Sequence, residues 1–300
     1  MKKKGICLGI RVLVAVVFGL MLGIRIFTNF FKTNGISLGG ISNLNSNLFL
    51  PTSFTFLFWE VVNFALFAFV IYFLFAYRTI EENKKEDLYI YVAIGFAFSE
   101  IANIAWIFSW YYGLILLSMI CIGILLLCVC FIDLRIRKEE LDTEDIIFLR
   151  VPFSLYSGWI MFIAFVNATL FMQNFLWDGF GVTNDFWTIL LICFTAIFTL
   201  ITIISGRDPA YGIVILWAFI GILIKHISLN GFKGFYSDII VEVIVCMCIF
   251  TILILYYLLS GNSYTKRITE EFEEEDEETF DFLKHQEDID EEDSIKHWVK

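Results

Sequence analysis

The sequence predicts an all-α integral membrane protein with about eight transmembrane helices. Of its 300 residues, 59% are hydrophobic and 18% are aromatic, and the mean hydropathy is +0.77. A soluble globular chain is roughly 45–50% apolar, so this chain has more apolar surface than a water-soluble core could bury. Long apolar runs also recur along the chain, bounded by charges or by Gly/Asn clusters. These observations exclude soluble enzymes, disulfide-stapled secreted domains and nucleic-acid-binding proteins.

Eight apolar runs have the length of a transmembrane helix, which needs about 20 residues. They lie at residues 5–27, 54–77, 88–110, 113–132, 153–172, 186–204, 210–228 and 239–259. The third and fourth runs meet at Trp110-Tyr-Tyr-Gly113, an aromatic corner suited to a membrane interface. The N-terminus resembles a signal peptide, but no small-residue cleavage site precedes Phe30, which favours a retained first helix.

The placement of Lys and Arg predicts the orientation. With the N-terminus in the cytoplasm, thirteen of these residues fall in cytoplasmic loops, whereas the opposite loops hold only Lys32 and Lys233. Arg150 is counted among the thirteen as a loop residue. Loops rich in Lys and Arg stay in the cytoplasm, so both termini are expected there. The same pattern suits a plasma membrane or an organelle membrane.

Two segments outside the spans are distinctive. Residues 261–300 hold 15 acidic and 5 basic side chains, a pattern typical of a disordered, solvated tail. Phenylalanines among the acids leave open a docking role for a cytoplasmic partner. Residues 28–53 connect the first two spans and are rich in Gly, Ser and Asn. Loops of this length are often lids or binding segments, so we expect an outer lid, with a plain connector as the alternative.

Polar side chains recur at one depth within the spans, where they are costly and therefore informative. The second span carries Glu60 and Asn63, three residues apart and on one helix face. The third span carries Glu100 and Asn103 at the same spacing, and the fifth carries Asn167. All lie roughly 7–15 Å below the outer surface at 1.5 Å rise per residue. This matched depth predicts a polar pocket, with interhelical hydrogen bonding as the alternative.

The sequence shows no pattern typical of catalysis. It contains no Ser/His/Asp constellation, no phosphate-binding glycine loop and no metal-ligand spacing. The seven cysteines lie in or beside apolar spans, where free Cys behaves as a small hydrophobe. We therefore expect a protein that is not an enzyme and requires no cofactor.

Several motifs resemble one membrane-protein family. Residues 49–59 contain a proline followed by Phe-x-x-Trp, and the third span contains Asn103-Ile-Ala-Trp106. Residues 151–159 run from a Pro-aromatic start to a Trp, and Asn167 follows eight residues later. These motifs resemble, in order, the second, third and fifth helices of the TspO/MBR family of tryptophan-rich sensory or translocator proteins. Residues 207–211 are similar to a segment of its larger members.

The resemblance implies a division of the chain and a ligand. Residues 1–175 would form a five-helix bundle whose outer pocket is closed by the 28–53 loop, and residues 176–260 would add three spans. The ligand would be flat and largely apolar, either a porphyrin or other tetrapyrrole or a sterol-like molecule, and the protein a sensor or translocator and a homodimer. Together with the polar positions, the expected ligand-binding residues are Trp59, Glu60, Asn63, Glu100, Asn103, Trp106, Trp159 and Asn167.

Two other functions stay open. Eight spans with Glu60 and Glu100 at membrane depth are compatible with a secondary transporter driven by a proton or ion. The sequence shows no internal repeat pairing the first four spans with the last four, which weakens that alternative. The acidic tail is also compatible with a scaffolding protein that recruits a basic partner.

Overall fold

A computed structural model of the chain describes residues 2–30, 47–75, 85–174 and 179–260. These residues include eight long helices, listed here with their bounds: α1 Lys2–Phe30, α2 Phe58–Phe75, α3 Glu86–Tyr111, α4 Ile115–Ile136, α5 Val151–Asn174, α6 Asn184–Gly206, α7 Pro209–Ile227 and α8 Ser237–Leu259. Most of the predicted lid (residues 31–46) and the predicted acidic tail (261–300) lie outside the described residues.

The prediction of an all-α protein with eight membrane spans is confirmed. Every long helix is long and apolar enough to cross a bilayer. The helices differ in the share of their residues that is buried inside the protein. In the most apolar 18-residue stretch of each span, this share is 72% for the span that contains α5 and 22% for α1 and for α8. Because α5 is the most buried helix, it is the centre of the fold, and α1 and α8 turn most of their surface to lipid.

The first five helices form a closed ring, as the resemblance implied. In this ring α1 contacts α2 and α3, α3 contacts α4, α4 contacts α5, and α5 closes the ring against α2. Aromatic side chains fill its interior, all of them fully buried: Trp59, Trp106, Trp159, Tyr89, Tyr156, Phe69, Phe96 and Phe153. Helix α7 packs on the outside of the ring against α5, and α6 and α8 pack on α7. The division of the chain at residue 175 stays a prediction.

Left-handed residues and a capping side chain mark the ends and starts of several helices. Gly113, with φ of 70°, provides the left-handed residue of the turn between α3 and α4, at the predicted aromatic corner. Arg207 ends α6 in a left-handed conformation. The next residue, Asp208, caps α7 by accepting a hydrogen bond from the Tyr211 amide, and Pro209 follows at the first helical position.

The residues before α2 form a buried wedge, defined here as residues 47–57. Leu48, Phe49, Leu50 and Pro51 are buried, and Phe49 packs against the rings of Phe162 and Phe165 of α5. The wedge therefore fixes the end of the long connection that the sequence assigned to a lid.

The wedge is bonded to α7 as well as packed on α5. The Thr52 amide donates to the Gly221 carbonyl at 3.2 Å, and the Trp217 indole donates to the Thr55 carbonyl at 3.0 Å. Through these bonds the wedge holds the five-helix ring to the three further helices. We call this end of the bundle the wedge end. The opposite end, where Asp133, Arg137, Arg150 and Asp208 form a network of ion pairs, is the network end.

The start of the fifth span differs from the prediction. The turn Thr143–Asp145 and the π-helical segment Ile146–Arg150 continue directly into α5, so the span begins about ten residues earlier than expected. Arg150 was expected in a cytoplasmic loop, and that expectation is wrong. It is buried within this continuous helix, where its charge is paired with two carboxylates.

We predict that Gly221→Ala destabilises the protein by forcing the wedge away from α7. A Cβ at residue 221 would lie 1.9 Å from Thr55 Oγ1 and 2.9 Å from Thr55 Cβ. Overpacking of this kind costs about 1–3 kcal/mol. A lower melting temperature in detergent is expected. Gly19→Ala is the matched control, since no atom lies within 4 Å of a Cβ there. Equal melting temperatures for the two variants would contradict the role of the wedge.

Candidate functional site

Three tryptophans from three helices meet inside the ring. Trp59 of α2 stacks on Trp106 of α3, with ring centres 5.5 Å apart and planes within 6° of parallel. Trp159 of α5 meets Trp59 edge-on at 5.9 Å. Each of the three is at least 98% buried, and both geometries are favourable for aromatic pairs. We call these residues the tryptophan trio. Their convergence was expected from the motifs.

Glu100 and Asn103 lie together beside the trio on α3. Glu100 is fully buried and accepts a hydrogen bond from the Tyr156 hydroxyl of α5 at 3.0 Å. The Asn103 amide nitrogen donates to the other Glu100 oxygen at 3.4 Å. The three-residue spacing placed both side chains on one helix face. Tyr156 was not predicted, although it lies three residues before Trp159 and so shares its face of α5.

Asn167 is the most fully bonded of the predicted residues. Its carboxamide oxygen accepts hydrogen bonds from the Trp106 indole at 3.3 Å, the Trp110 indole at 2.9 Å and the Ser118 hydroxyl at 3.2 Å. Its amide nitrogen contacts the sulfur of Met119 at 3.5 Å. These bonds tie α5 to α3 and α4. Trp110, expected only at the membrane interface, is half-buried and shares the Asn167 oxygen with Trp106. It lies four residues after Trp106 and therefore on the same face of α3.

Three of the predicted residues keep a buried polar atom without a hydrogen-bond partner among the described residues. These atoms are the Asn63 amide nitrogen, the Asn103 carboxamide oxygen and the Trp159 indole nitrogen. They come from α2, α3 and α5 and lie on or beside the tryptophan trio. Buried polar groups are almost always bonded, so an unbonded one calls for a partner such as a ligand or a water. This part of the site therefore has two free hydrogen-bond donors and one free acceptor.

Glu60 does not join the buried cluster, and the expectation of a buried Glu60 is wrong. Its side chain is 62% exposed and forms an ion pair with Arg25 of α1 at 2.8 Å. The guanidinium of Arg25 also lies over the Trp59 ring, 4.7 Å from its centre. Residues three apart on a helix share a face only broadly, and the boundary of the packed interior falls between Glu60 and Asn63. Seven of the eight predicted residues are therefore buried in the interior, and Glu60 is not.

The sequence did not reveal a second polar cluster at the network end. Arg150 binds Asp133 of α4 at 3.1 Å and Asp208, before α7, at 2.7 Å. Arg137 binds the same two carboxylates at 2.7 and 3.2 Å. The Ser154 hydroxyl donates to Asp208 at 2.6 Å. Two arginines and two aspartates thus neutralise one another and join α4, α5 and α7.

A smaller ionic cluster fixes the turn before α5. Lys85 binds both Asp142 and Asp145, and the Tyr89 hydroxyl donates to Asp145 at 2.6 Å. Burial lowers the pKa of Lys85, but its hydrogen bonds to the two carboxylates outweigh that effect and raise the pKa above its usual value. The ammonium is therefore charged throughout the physiological range and anchors the turn to the start of α3.

Among the described residues no group meets the requirements of a metal site, but one set of side chains lines a polar cleft. No three His, Cys, Asp or Glu side chains in this part of the chain come together to hold a metal ion. A cleft of about 70 Å³ lies between the wedge, α5 and the start of α6, lined by polar side chains that include Asn47, Thr169 and Thr188. Two of these lining residues are bonded to each other, since the Asn47 amide nitrogen donates to the Thr169 hydroxyl at 2.8 Å.

We predict that Asn167→Leu strongly destabilises the protein. The substitution leaves two indole N–H groups and one hydroxyl buried without an acceptor, at about 1–3 kcal/mol each. The melting temperature in detergent should fall well below that of Asn103→Leu, a control of equal size change. The Asn103 oxygen has no partner and its nitrogen makes only a long bond, so less is lost there. Similar melting temperatures would contradict the central role of Asn167.

We predict a comparable cost for Arg150→Gln. Removing one partner of a buried charge pair costs about 3–5 kcal/mol, because it leaves uncompensated buried carboxylates. The control is Arg135→Gln, which removes an exposed pair with Glu139 and should cost about 0–1 kcal/mol. Thermal unfolding of both variants tests the prediction, and equal losses would show that the network does not stabilise the fold.

Comparison with known proteins agrees with this architecture. The family model described as TSPO-like protein matches residues 11–257, which extends from the first helix of the ring to the end of α8. The match therefore covers the three further helices as well as the ring. No curated protein and no solved structure matches the chain. With the match covering well over half its length, the chain belongs to the family of TSPO-like proteins.

Proposed function

We propose that this membrane protein is a sensor or translocator that binds a flat, largely apolar ligand, of porphyrin or sterol-like shape, at the tryptophan trio. The single observation that supports it best is the Trp159 indole N–H. It is a donor on a fully buried side chain and has no acceptor among the described residues. An unbonded donor inside a membrane protein is costly, so an acceptor atom from a ligand is a natural complement.

The walls around that donor suit such a ligand. Phe58 lies 5.5 Å from Trp159 between ring centres, Phe162 lies 5.9 Å away and Phe56 lies 6.4 Å away. Binding pockets combine aromatic walls with a few directional polar groups. Asn63 and Asn103 supply a further free donor and a free acceptor. The site thus offers a large apolar contact with three directional contacts.

The spacing of the trio supports a binding position at its edge. Ring centres 5.5–5.9 Å apart are in direct contact, which leaves no space for another plane between them. We therefore place the ligand at the edge of the trio, on the side of the free polar atoms. Glu100 and Asn167, which have bonded partners, would position the trio, while Trp59, Trp106 and Trp159 would form the ligand contact.

The secondary-transporter alternative has weaker support. It required Glu60 and Glu100 to act together at membrane depth, but Glu60 is largely exposed and paired with Arg25. Glu100 remains a buried carboxyl group and is the feature that keeps this alternative testable.

We also propose that the protein binds its ligand without catalysing a reaction and that it forms a homodimer in a lipid membrane. Both termini would lie in the cytoplasm, where the acidic tail would have a partner.

We predict that Trp159→Phe weakens ligand binding by about two- to tenfold, the worth of one hydrogen bond. Phe keeps an aromatic ring at this position and removes the indole N–H together with part of the ring, a loss of volume that the Trp187→Phe control shares. The measurement is a titration of the purified full-length protein in detergent with protoporphyrin, followed by tryptophan fluorescence quenching and porphyrin absorbance.

The control is Trp187→Phe, because the Trp187 indole donates to the Gly179 carbonyl in a separate part of the protein. It should leave the affinity for protoporphyrin unchanged. A wild-type protein that shows no binding at micromolar protoporphyrin and none with a sterol probe would overturn the proposal. Equal losses in both variants would place the ligand away from Trp159.

A further inference from the structure

Arg25 lies against the tryptophan trio, with its guanidinium 4.7 Å from the centre of the Trp59 ring, and most of its hydrogen-bonding capacity is unused among the described residues. A guanidinium carries five N–H donors. One of them, on Nη2, binds Glu60 at 2.8 Å, and the described residues supply no other acceptor to this side chain. The Arg25 side chain is only 15% exposed. A largely buried guanidinium with free donors is a group that a further acceptor would stabilise.

The ion pair with Glu60 is not locked in place by packing. The Glu60 side chain is 62% exposed, so it can turn away from Arg25 without opening the packed interior of the ring. Arg25 has a second contact besides Glu60, because its guanidinium also lies over the Trp59 ring, 4.7 Å from the ring centre. A different carboxylate could therefore replace Glu60 while Arg25 stays beside the trio.

Two groups near Trp59 offer free donors to an incoming acceptor, and the Glu100 carboxylate lies within electrostatic range of Arg25. The Trp159 ring lies 5.9 Å from Trp59 and carries a free N–H, and Asn63, one turn along α2, carries a free amide nitrogen. Glu100 has its own donors in Tyr156 and Asn103. Among the described residues, Glu60 alone forms an ion pair with Arg25.

We infer that Arg25 is the binding site for a carboxylate on the ligand and that Glu60 occupies it when no ligand is bound. This inference rests on the proposed function and narrows the ligand to a flat apolar molecule with an acidic edge. A guanidinium binds a carboxylate through two parallel hydrogen bonds, which neutral oxygen groups cannot match. A sterol with only a hydroxyl group would therefore bind more weakly than an acid of similar shape.

The test compares one ligand skeleton with and without its acid groups. Protoporphyrin and its dimethyl ester are titrated against the purified full-length protein in detergent. The acid should bind about tenfold more tightly than the ester, as expected for hydrogen bonds to a charged group. In Arg25→Gln the acid should bind no more tightly than the ester. Arg11→Gln is the matched control, because Arg11 joins the same two helices through the Phe73 carbonyl; it should keep the preference for the acid.

Glu60→Gln provides a result that misfolding cannot imitate. Removing the competing carboxylate should strengthen binding of the acid severalfold and leave the ester unchanged. Equal binding of acid and ester by the wild-type protein, with no gain in Glu60→Gln, would overturn the inference while leaving the ligand site intact. Failure of both compounds to bind the wild-type protein would instead overturn the proposed function.

Discussion

The carboxamide oxygen of Asn167 is the contact on which the interior of the ring depends. It accepts from Trp106 and Trp110 of α3 and from Ser118 of α4, so one atom of α5 sets the positions of two neighbouring helices. Because Trp106 stacks on Trp59, the constraint extends to α2. In a membrane, where apolar burial does not drive helices together, such bonds and close packing are what hold a bundle in one arrangement.

The ion-pair network and the tryptophan trio differ in how completely their polar groups are bonded. At the network end, Arg137 and Arg150 share the carboxylates of Asp133 and Asp208, so positive and negative charges balance. At the wedge end, free polar atoms remain beside the tryptophan trio. Each unbonded group is costly away from water, so the free atoms beside the trio are the basis of the binding site proposed above.

The sequence predicted the features that follow from periodicity and missed those that depend on distant pairing. Apolar run length gave the eight spans, and three-residue spacing placed Glu100 and Asn103 on one face. The same spacing failed for Glu60, because the edge of the packed interior falls between it and Asn63. Arg150 was misplaced because Ile146–Arg150 continues the helix. Its partner Asp208 lies 58 residues away in sequence, a distance over which no local pattern reports a contact.

The wedge explains why the three further helices bear on the proposed site. Trp59 is the second residue of α2, so its position depends directly on the segment that precedes that helix. This segment is bonded to α7 through Gly221 and Trp217. The segment can approach α7 this closely because residue 221 is a glycine. A side chain at that position would collide with Thr55. A shift of α7 relative to α5 would therefore move the start of α2 and with it the trio, which gives the added helices a physical route to the proposed ligand site.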